Sequence, residues 1–338
     1  MKLAINGLGR VGRLVLRQLV RQVGVEVVAV NDIADIRTLA HLIKYDSVHG
    51  RAEFPVSCDD ASLLLNGQRI RVFREREPGA APFAELGAQI VLECTGKFTT
   101  RVELARFLEG SVSHVLVSDP ADAADLTVVM GVNHEKFDVH SHRIISNASC
   151  TTHCLAPMVK VLDEAFGLEY GLFTAVHAYT NDQRILDLPH QDLRLARAAS
   201  LSMIPTSTGA TKAIGWVMPH LAGRLDGLAV RVPTPDVSIT DLSAMLARDA
   251  TTAAINAAFR KAASSGPLKG YLEVVEDEIV SMDLTGNPAS CIFDPFLTKV
   301  MTPRYVKVFG WYDNEYGFAS RLKDLALLVL ERIAQGVQ

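Results

Sequence analysis

Apolar residues follow two different patterns along this chain of 338 residues. Through the first 149 residues, short continuous apolar runs alternate with stretches of helical spacing. Lys2–Asn6 reads as a strand, residues 11–20 as a helix, and 25–30 as a nearly unbroken apolar run of the kind found in strands buried on both faces. The spacing predicts a helix over 38–45, a loop over 46–50, and a hairpin in 62–72 that turns at Asn66-Gly67. It also predicts buried strands over 90–94, 115–117 and 128–131. Strands alternating with helices predict an α/β fold built on a doubly wound parallel sheet, with its ligand beyond the strand C-terminal ends.

From about residue 150 the texture changes. A small polar run, Ser146-Asn147-Ala148-Ser149-Cys150-Thr151-Thr152-His153-Cys154, leads into Leu155, Met158, Val159, Leu162 and Phe166 at helical spacing. Pro157 is placed within the first two turns of that helix, where proline is best tolerated. Residues 170–179 read as a strand carrying His177. A long loop follows over 180–203, with Arg184, Arg194 and Arg197. Strands are predicted over 228–232, 238–247 and 306–311, and a helix over 251–263. In the last segment Phe318, Leu322, Leu325, Val329 and Ile333 share one helical face. These patterns predict a Rossmann-type domain over 1–149, an α+β domain over 150–314, and a final helix, 315–336, that packs back on the first domain.

Composition narrows the classes. A chain that is 49% hydrophobic can bury two cores, and its net charge of -4 offers no basic footprint for nucleic acid. No apolar run is long enough to span a bilayer. The N-terminus reads straight into a strand without a signal peptide, and five cysteines suit a reducing compartment, so a cytoplasmic protein is expected.

Two stretches carry candidate chemistry. Gly7-Leu8-Gly9-Arg10-Val11-Gly12 has a strand before it, a helix after it, and Asp32 twenty residues past Gly12. That context fits a dinucleotide site, with glycines for close approach to pyrophosphate and an acid for the ribose hydroxyls; the plainer alternative is a tight turn and a surface acid. Thr95, Gly96 and Ser118 follow predicted strand ends and belong to the same candidate cofactor site. Cys150, at the start of a helix, is expected to have a lowered thiol pKa and to act as a nucleophile. A buried cysteine acting as a small hydrophobe is the alternative.

Taken together, residues 6–13, 46–50, 93–97, 146–157, 177–183, 204–212, 231–238 and 311–317 resemble the phosphorylating glyceraldehyde-3-phosphate dehydrogenases over essentially the whole chain. The resemblance implies NAD as cofactor, held by Gly7, Gly9, Arg10, Val11, Gly12, Asp32, Thr95, Gly96 and Ser118, with Asn314 orienting the nicotinamide carboxamide. It implies that Cys150 attacks the aldehyde of glyceraldehyde 3-phosphate and that His177 is the base. A thioester then forms, and inorganic phosphate cleaves it. Thr180, Asp182 and Arg231 would hold the substrate phosphate; Ser149, Thr151, Thr208 and Gly209 would hold the attacking phosphate, and Arg194 joins this binding set. No metal is implied. A homo-oligomer, a tetramer, is implied, with the 180–203 loop at an interface. Asp32 and Leu188-Pro189 point to NAD over NADP.

The chain departs from the family pattern at His153 (usually Asn), Gln191 (commonly Lys), Leu195 (often Arg or Gly) and Asp119 (commonly Ala), which bears on affinity. The nearest competing reading is the sister erythrose-4-phosphate dehydrogenases, where water accepts the acyl group; retention of Thr208-Gly209 favours phosphorolysis. A metal or redox module built from Cys150, His153, Cys154 and His177 is a reading from another class, and it leaves the glycine fingerprint unexplained.

Overall fold

A computed structural model describes residues 1–336. The chain divides into two compact units. The first comprises Met1–Val128, Glu135–Ala148 and Ala319–Gln338; the second comprises Val129–His134 and Ser149–Phe318.

In the first unit, nine strands form one sheet among the described residues. Their order is Leu126–Thr127, Ile144–Ser146, His114–Val117, Ile90–Glu93, Lys2–Asn6, Glu26–Asn31, Gln68–Phe73, Ser62–Leu65 and Val56–Cys58. The first seven run parallel and the last two are antiparallel. The predicted doubly wound sheet is therefore present. Strand order reverses at Lys2–Asn6, and the register aligns the ends: Asn6 pairs with Asn31 and with Glu93, and Glu93 pairs with Val117. Gly7, Asp32, Cys94 and Ser118 thus leave the sheet along one edge, at the switch point where α/β ligands bind. The hairpin turns where expected. Leu65 pairs with Gln68, and Asn66 and Gly67 have φ of 49° and 80°, as a two-residue type I′ turn requires.

The second unit holds a mixed eight-stranded sheet. Leu168–Ala178 lies parallel to Leu225–Val232 and antiparallel to Ser238–Leu246, which pairs in turn with Tyr305–Tyr312. Its core helix is Cys150–Phe166, with Leu155, Met158, Val159 and Leu162 fully buried.

Three expectations need correction. Residues 128–131 are not a strand. Val128 N–H still reaches Ser146 O, but Asn133 Oδ1 then takes Val129 N–H and Gly131 turns at φ 81°, so the ladder stops. The apolar run reports burial there, since Val129, Met130 and Val132 are all buried. The 46–50 loop is flanked by a miniature hairpin in which Tyr45–Asp46 pairs with Gly50–Arg51. Pro157 is not near the start of its helix. The helix begins at Cys150, so proline sits in the interior, without an N–H for the His153 carbonyl, at a cost of about 3 kcal/mol. Complete burial of the surrounding leucines and valines outweighs that cost.

Candidate active site

The strand-end edge of the first unit is built mostly from backbone. Gly9 caps the helix Arg10–Leu19 without a side-chain cap, and no acid lies in its first turn, so its N-terminal N–H groups are available to an anion. A Cβ on Gly12 would lie 2.0 Å from Gly7 O, and one on Gly7 (φ 94°) would lie 2.8 Å from Thr95 N; helix and strand approach too closely for any side chain. At Gly9, by contrast, a Cβ would meet nothing within 4 Å, which leaves an open cradle. Asp32 Oδ2 accepts Leu8 N–H (2.8 Å) and Oδ1 accepts Ala34 N–H (2.9 Å). The carboxylate therefore caps a turn and is also held beside the glycine loop. The Arg10 guanidinium is engaged by Asp46 (2.7 and 3.1 Å), which leaves Arg10 and Val11 to contribute through their backbone.

A cavity of about 410 Å³ opens here, lined by Gly7, Gly9, Asp32, Thr95, Lys97 and Phe98 among others. An open glycine, free helix N–H groups and a fixed carboxylate are what a dinucleotide requires, so these residues fit NAD. The pattern did not single out the polar network beneath the cavity. Asn31 Nδ2 donates to Asn6 Oδ1 (2.7 Å), Asn6 Nδ2 donates to Glu93, and Glu93 Oε1 accepts Thr95 N–H (2.7 Å) and Thr95 O–H. Burial holds Glu93 above the ordinary carboxylate range even against these hydrogen bonds. Gly96 turns at φ 67°, and buried Ser118 donates to Asp119 Oδ2 (3.2 Å). Burial also raises Asp119, and its charge pushes Glu93 further up.

The second unit gathers side chains from distant parts of the sequence. Ser149 caps the helix that starts at Cys150 by accepting Thr152 N–H (3.2 Å). His177 and Arg231 are register partners on parallel strands, and Ser238 pairs with Tyr312. Cys150 Sγ lies 3.3 Å from His177 Nε2. His177 Nδ1 lies 2.6 Å from Ala178 O and 2.6 Å from Arg231 Nη1. These two contacts favour opposite tautomers: Nδ1–H donates to Ala178, whereas a bare Nδ1 accepts from arginine. Thr151 Oγ1 meets Tyr312 OH (3.0 Å), and Thr180 O–H donates to Asp182. Thr208 Oγ1 accepts Ala210 N–H (3.2 Å) where Gly209 caps the helix Ala210–Val217. Arg194 is exposed, and no contact ties it to Cys150 or His177 among the described residues.

The expected lowering of the thiol pKa is overturned. Burial pushes Cys150 up to about 11, although the Arg231 charge and hydrogen bonds from Thr151 pull it down. A helix terminus is worth at most about 2 kcal/mol, and desolvation of the thiolate at this half-buried position exceeds that. Burial, reinforced by Arg231, drives His177 down to about 3. The resting pair is a thiol beside a neutral imidazole.

Cys154 is fully buried, with its thiol directed at Gly310 O (3.3 Å), and His153 packs edge-on against Phe318 at 5.8 Å. Among the described residues, no three of Cys150, His153, Cys154 and His177 bring ligand atoms within 4.8 Å of one another, contrary to the metal-module reading.

Residues 1–101 match the family described as "Glyceraldehyde 3-phosphate dehydrogenase, NAD binding domain", and residues 149–314 match "Glyceraldehyde 3-phosphate dehydrogenase, C-terminal domain". The chain is 53% identical over 330 residues to a glyceraldehyde-3-phosphate dehydrogenase of Streptomyces coelicolor, covering 97% of this chain and 98% of the relative. It is 52% identical over 325 residues to glyceraldehyde-3-phosphate dehydrogenase 1 of Bacillus cereus (96% and 97%). It is 51% identical over 332 residues to the enzyme of Geobacillus stearothermophilus (98% and 99%).

Proposed function

Because the chain belongs to the glyceraldehyde-3-phosphate dehydrogenase family, we propose that its Cys150–His177 pair oxidises D-glyceraldehyde 3-phosphate and passes the acyl group to inorganic phosphate, giving 1,3-bisphosphoglycerate. The protein is an NAD-dependent oxidoreductase. The observation that carries the reading is the 3.3 Å contact between a thiol and an imidazole that stays neutral above pH of about 3.

His177 Nε2 takes the Cys150 proton as sulfur attacks the aldehyde carbon, then returns it to the nascent alkoxide of the thiohemiacetal. In this role Nδ1–H must donate to Ala178 O. Arg231, drawn to the substrate phosphate, leaves Nδ1 free to do so. His177 then removes the hydroxyl proton, and the Cys150 N–H at the helix start stabilises the oxyanion. Bound NAD supplies the hydride acceptor. The thioester left on Cys150 is cleaved by phosphate held at Ser149, Thr151, Thr208 and Gly209, which restores the thiol. Thr180 and Asp182 assist Arg231 at the substrate phosphate, and Arg194 reaches a phosphate only if its loop rearranges.

We assign NAD binding to residues 1–149 with the final helix, and acyl chemistry to 150–314. Gly7, Gly9 and Gly12 carry the pyrophosphate; Asp32 takes the ribose hydroxyls and disfavours a 2′-phosphate. A tetramer accounts for the loop over 180–203, where Ile185 and Leu193 are 83% and 82% exposed and Leu186, Leu188, Leu201 and Met203 are also exposed. Leu195, by contrast, is buried within its own chain. Light scattering that returned a single-chain mass would refute the assembly. The cytoplasm suits five unpaired cysteines, and no helix among the described residues is long and apolar enough to cross a membrane.

The test is NADH formation from glyceraldehyde 3-phosphate with and without phosphate. Turnover should require phosphate; equal turnover without it would replace this reading with the hydrolytic sister reaction.

A further inference from the structure

We propose that Ser238 is a positioning residue that fixes the orientation of the Asn314 amide, so that the site reads the cofactor's carboxamide through its carbonyl oxygen. The inference rests on the assignment of Asn314 to the nicotinamide carboxamide and deepens it. Ser238 opens the strand Ser238–Leu246, opposite Tyr312, and is 2% exposed. Its hydroxyl has two lone pairs and one proton. Ala178 N–H donates to Oγ at 3.0 Å. Ala178 fills one acceptor position, and the one proton goes to Asn314 Oδ1 at 2.7 Å. An amide NH2 at that place would set donor against donor, so Oδ1 faces Ser238 and Nδ2 faces away.

Asn314 is 6% exposed, and its Nδ2 makes no hydrogen bond among the described residues. That donor is not sealed from solvent, so a carboxamide carbonyl can reach it as an acceptor. The backbone is constrained to the same end. Val237, immediately before Ser238, is held at φ 62°, a strained value for a β-branched residue, and is buried with Val275, Ile292 and Trp311. The same oxygen anchors Ala178, whose carbonyl lies 2.6 Å from His177 Nδ1. Ser238 therefore ties the end of the base's strand to the reader of the cofactor.

The test compares NAD with its 3-acetylpyridine analogue, which keeps the carbonyl and replaces the amine with methyl. In Ser238→Ala the Asn314 amide is free to turn over and offer Oδ1 to the carboxamide NH2, which the analogue lacks. Relative to the unmodified enzyme, the kcat/KM preference for NAD over the analogue should rise about tenfold, mainly in KM, and Ser238→Thr should restore it. Asn314→Ala is measured alongside. If it alters cofactor KM and preference while Ser238→Ala leaves the preference unchanged, the Ser238 inference is overturned and the role of Asn314 stands. If neither variant shifts either cofactor, the Asn314 assignment fails and takes the inference with it. Equal losses for both cofactors in Ser238→Ala, unrescued by threonine, would make Ser238 merely structural and overturn the inference.

Discussion

The two strand-end edges solve the problem of building a site in opposite ways. In the first unit the ligand-facing surface is glycine and helix N–H, and the side chains beneath it (Asn6, Asn31, Glu93) fasten one strand end to the next. In the second unit the atoms we assign to the reaction are side-chain atoms, Cys150 Sγ and His177 Nε2, brought together by the strand Leu168–Ala178 and the start of one helix, with Arg231 set beside His177 by register with Leu225–Val232. A backbone site needs close approach and tolerates no added atom. A side-chain site needs alignment across elements, and its chemistry is tuned by burial.

The sharpest way to break this comparison is at the side-chain edge. Cys150→Ser should lower turnover by at least about 10³-fold, because a serine hydroxyl beside His177 is a far poorer nucleophile, while NAD affinity measured by fluorescence titration stays within about twofold. Substantial residual turnover would mean another residue is the nucleophile. At the backbone edge a single methyl should suffice. Gly12→Ala places a Cβ 2.0 Å from Gly7 O, so the helix must shift; about 3 kcal/mol of stability should be lost, with NAD binding lost before the aldehyde chemistry. Denaturation midpoints and cofactor titration check both effects.

How much of each edge could be read from the sequence follows from the same contrast. Gly7 to Gly12 and Asp32 lie within one strand–helix–strand unit, so spacing alone pointed to a candidate cofactor site, and Asn66-Gly67 exposed the hairpin. The nucleophile helix was legible from its small polar lead-in. Spacing could not join His177 to Arg231, or Ser238 to Tyr312, because register is set by the whole sheet; resemblance supplied the roles of His177 and Arg231, and nothing in the sequence singled out Ser238 or Tyr312. The amide network of Asn6, Asn31 and Glu93 escaped notice because polar strand ends look like ordinary termini. Residues 128–131 were misread because burial in a turn produces the same apolar run as burial in a strand. The Cys150 pKa was misjudged because a helix position is visible in sequence and desolvation is not.

Smaller effects sharpen the comparison further. Asp236 is fully buried, and burial together with the Asp313 charge raises it to about 9. Its folded pKa lies above the ordinary 3.8, so folding takes up a proton, and this group's contribution to stability falls as pH rises between about 4 and 9. Asp236→Asn should therefore raise stability near pH 8 by roughly 2 kcal/mol and flatten that slope. Thermal melts at pH 6 and pH 8 decide it; an unchanged slope would place the titration elsewhere. Asp32→Gly should cut the NAD-over-NADP preference in kcat/KM by about tenfold, about 1.4 kcal/mol, by removing a carboxylate opposed to a 2′-phosphate. Unchanged preference would reduce Asp32 to the turn cap it also forms. Cys154→Ser, buried against Gly310 O, should cost less than about 1.5 kcal/mol of stability and leave turnover intact, separating the two cysteines of one helix.

The central claim is that Cys150 carries the acyl group as a thioester and that phosphate removes it. Enzyme mixed with NAD and glyceraldehyde 3-phosphate, without phosphate, is quenched in acid and its peptides are weighed. The account predicts a phosphoglyceroyl adduct on the Cys150 peptide, formed together with about one NADH per subunit and discharged when phosphate is added before the quench. An adduct on any other residue, or NADH formed with no adduct and no dependence on phosphate, would contradict it.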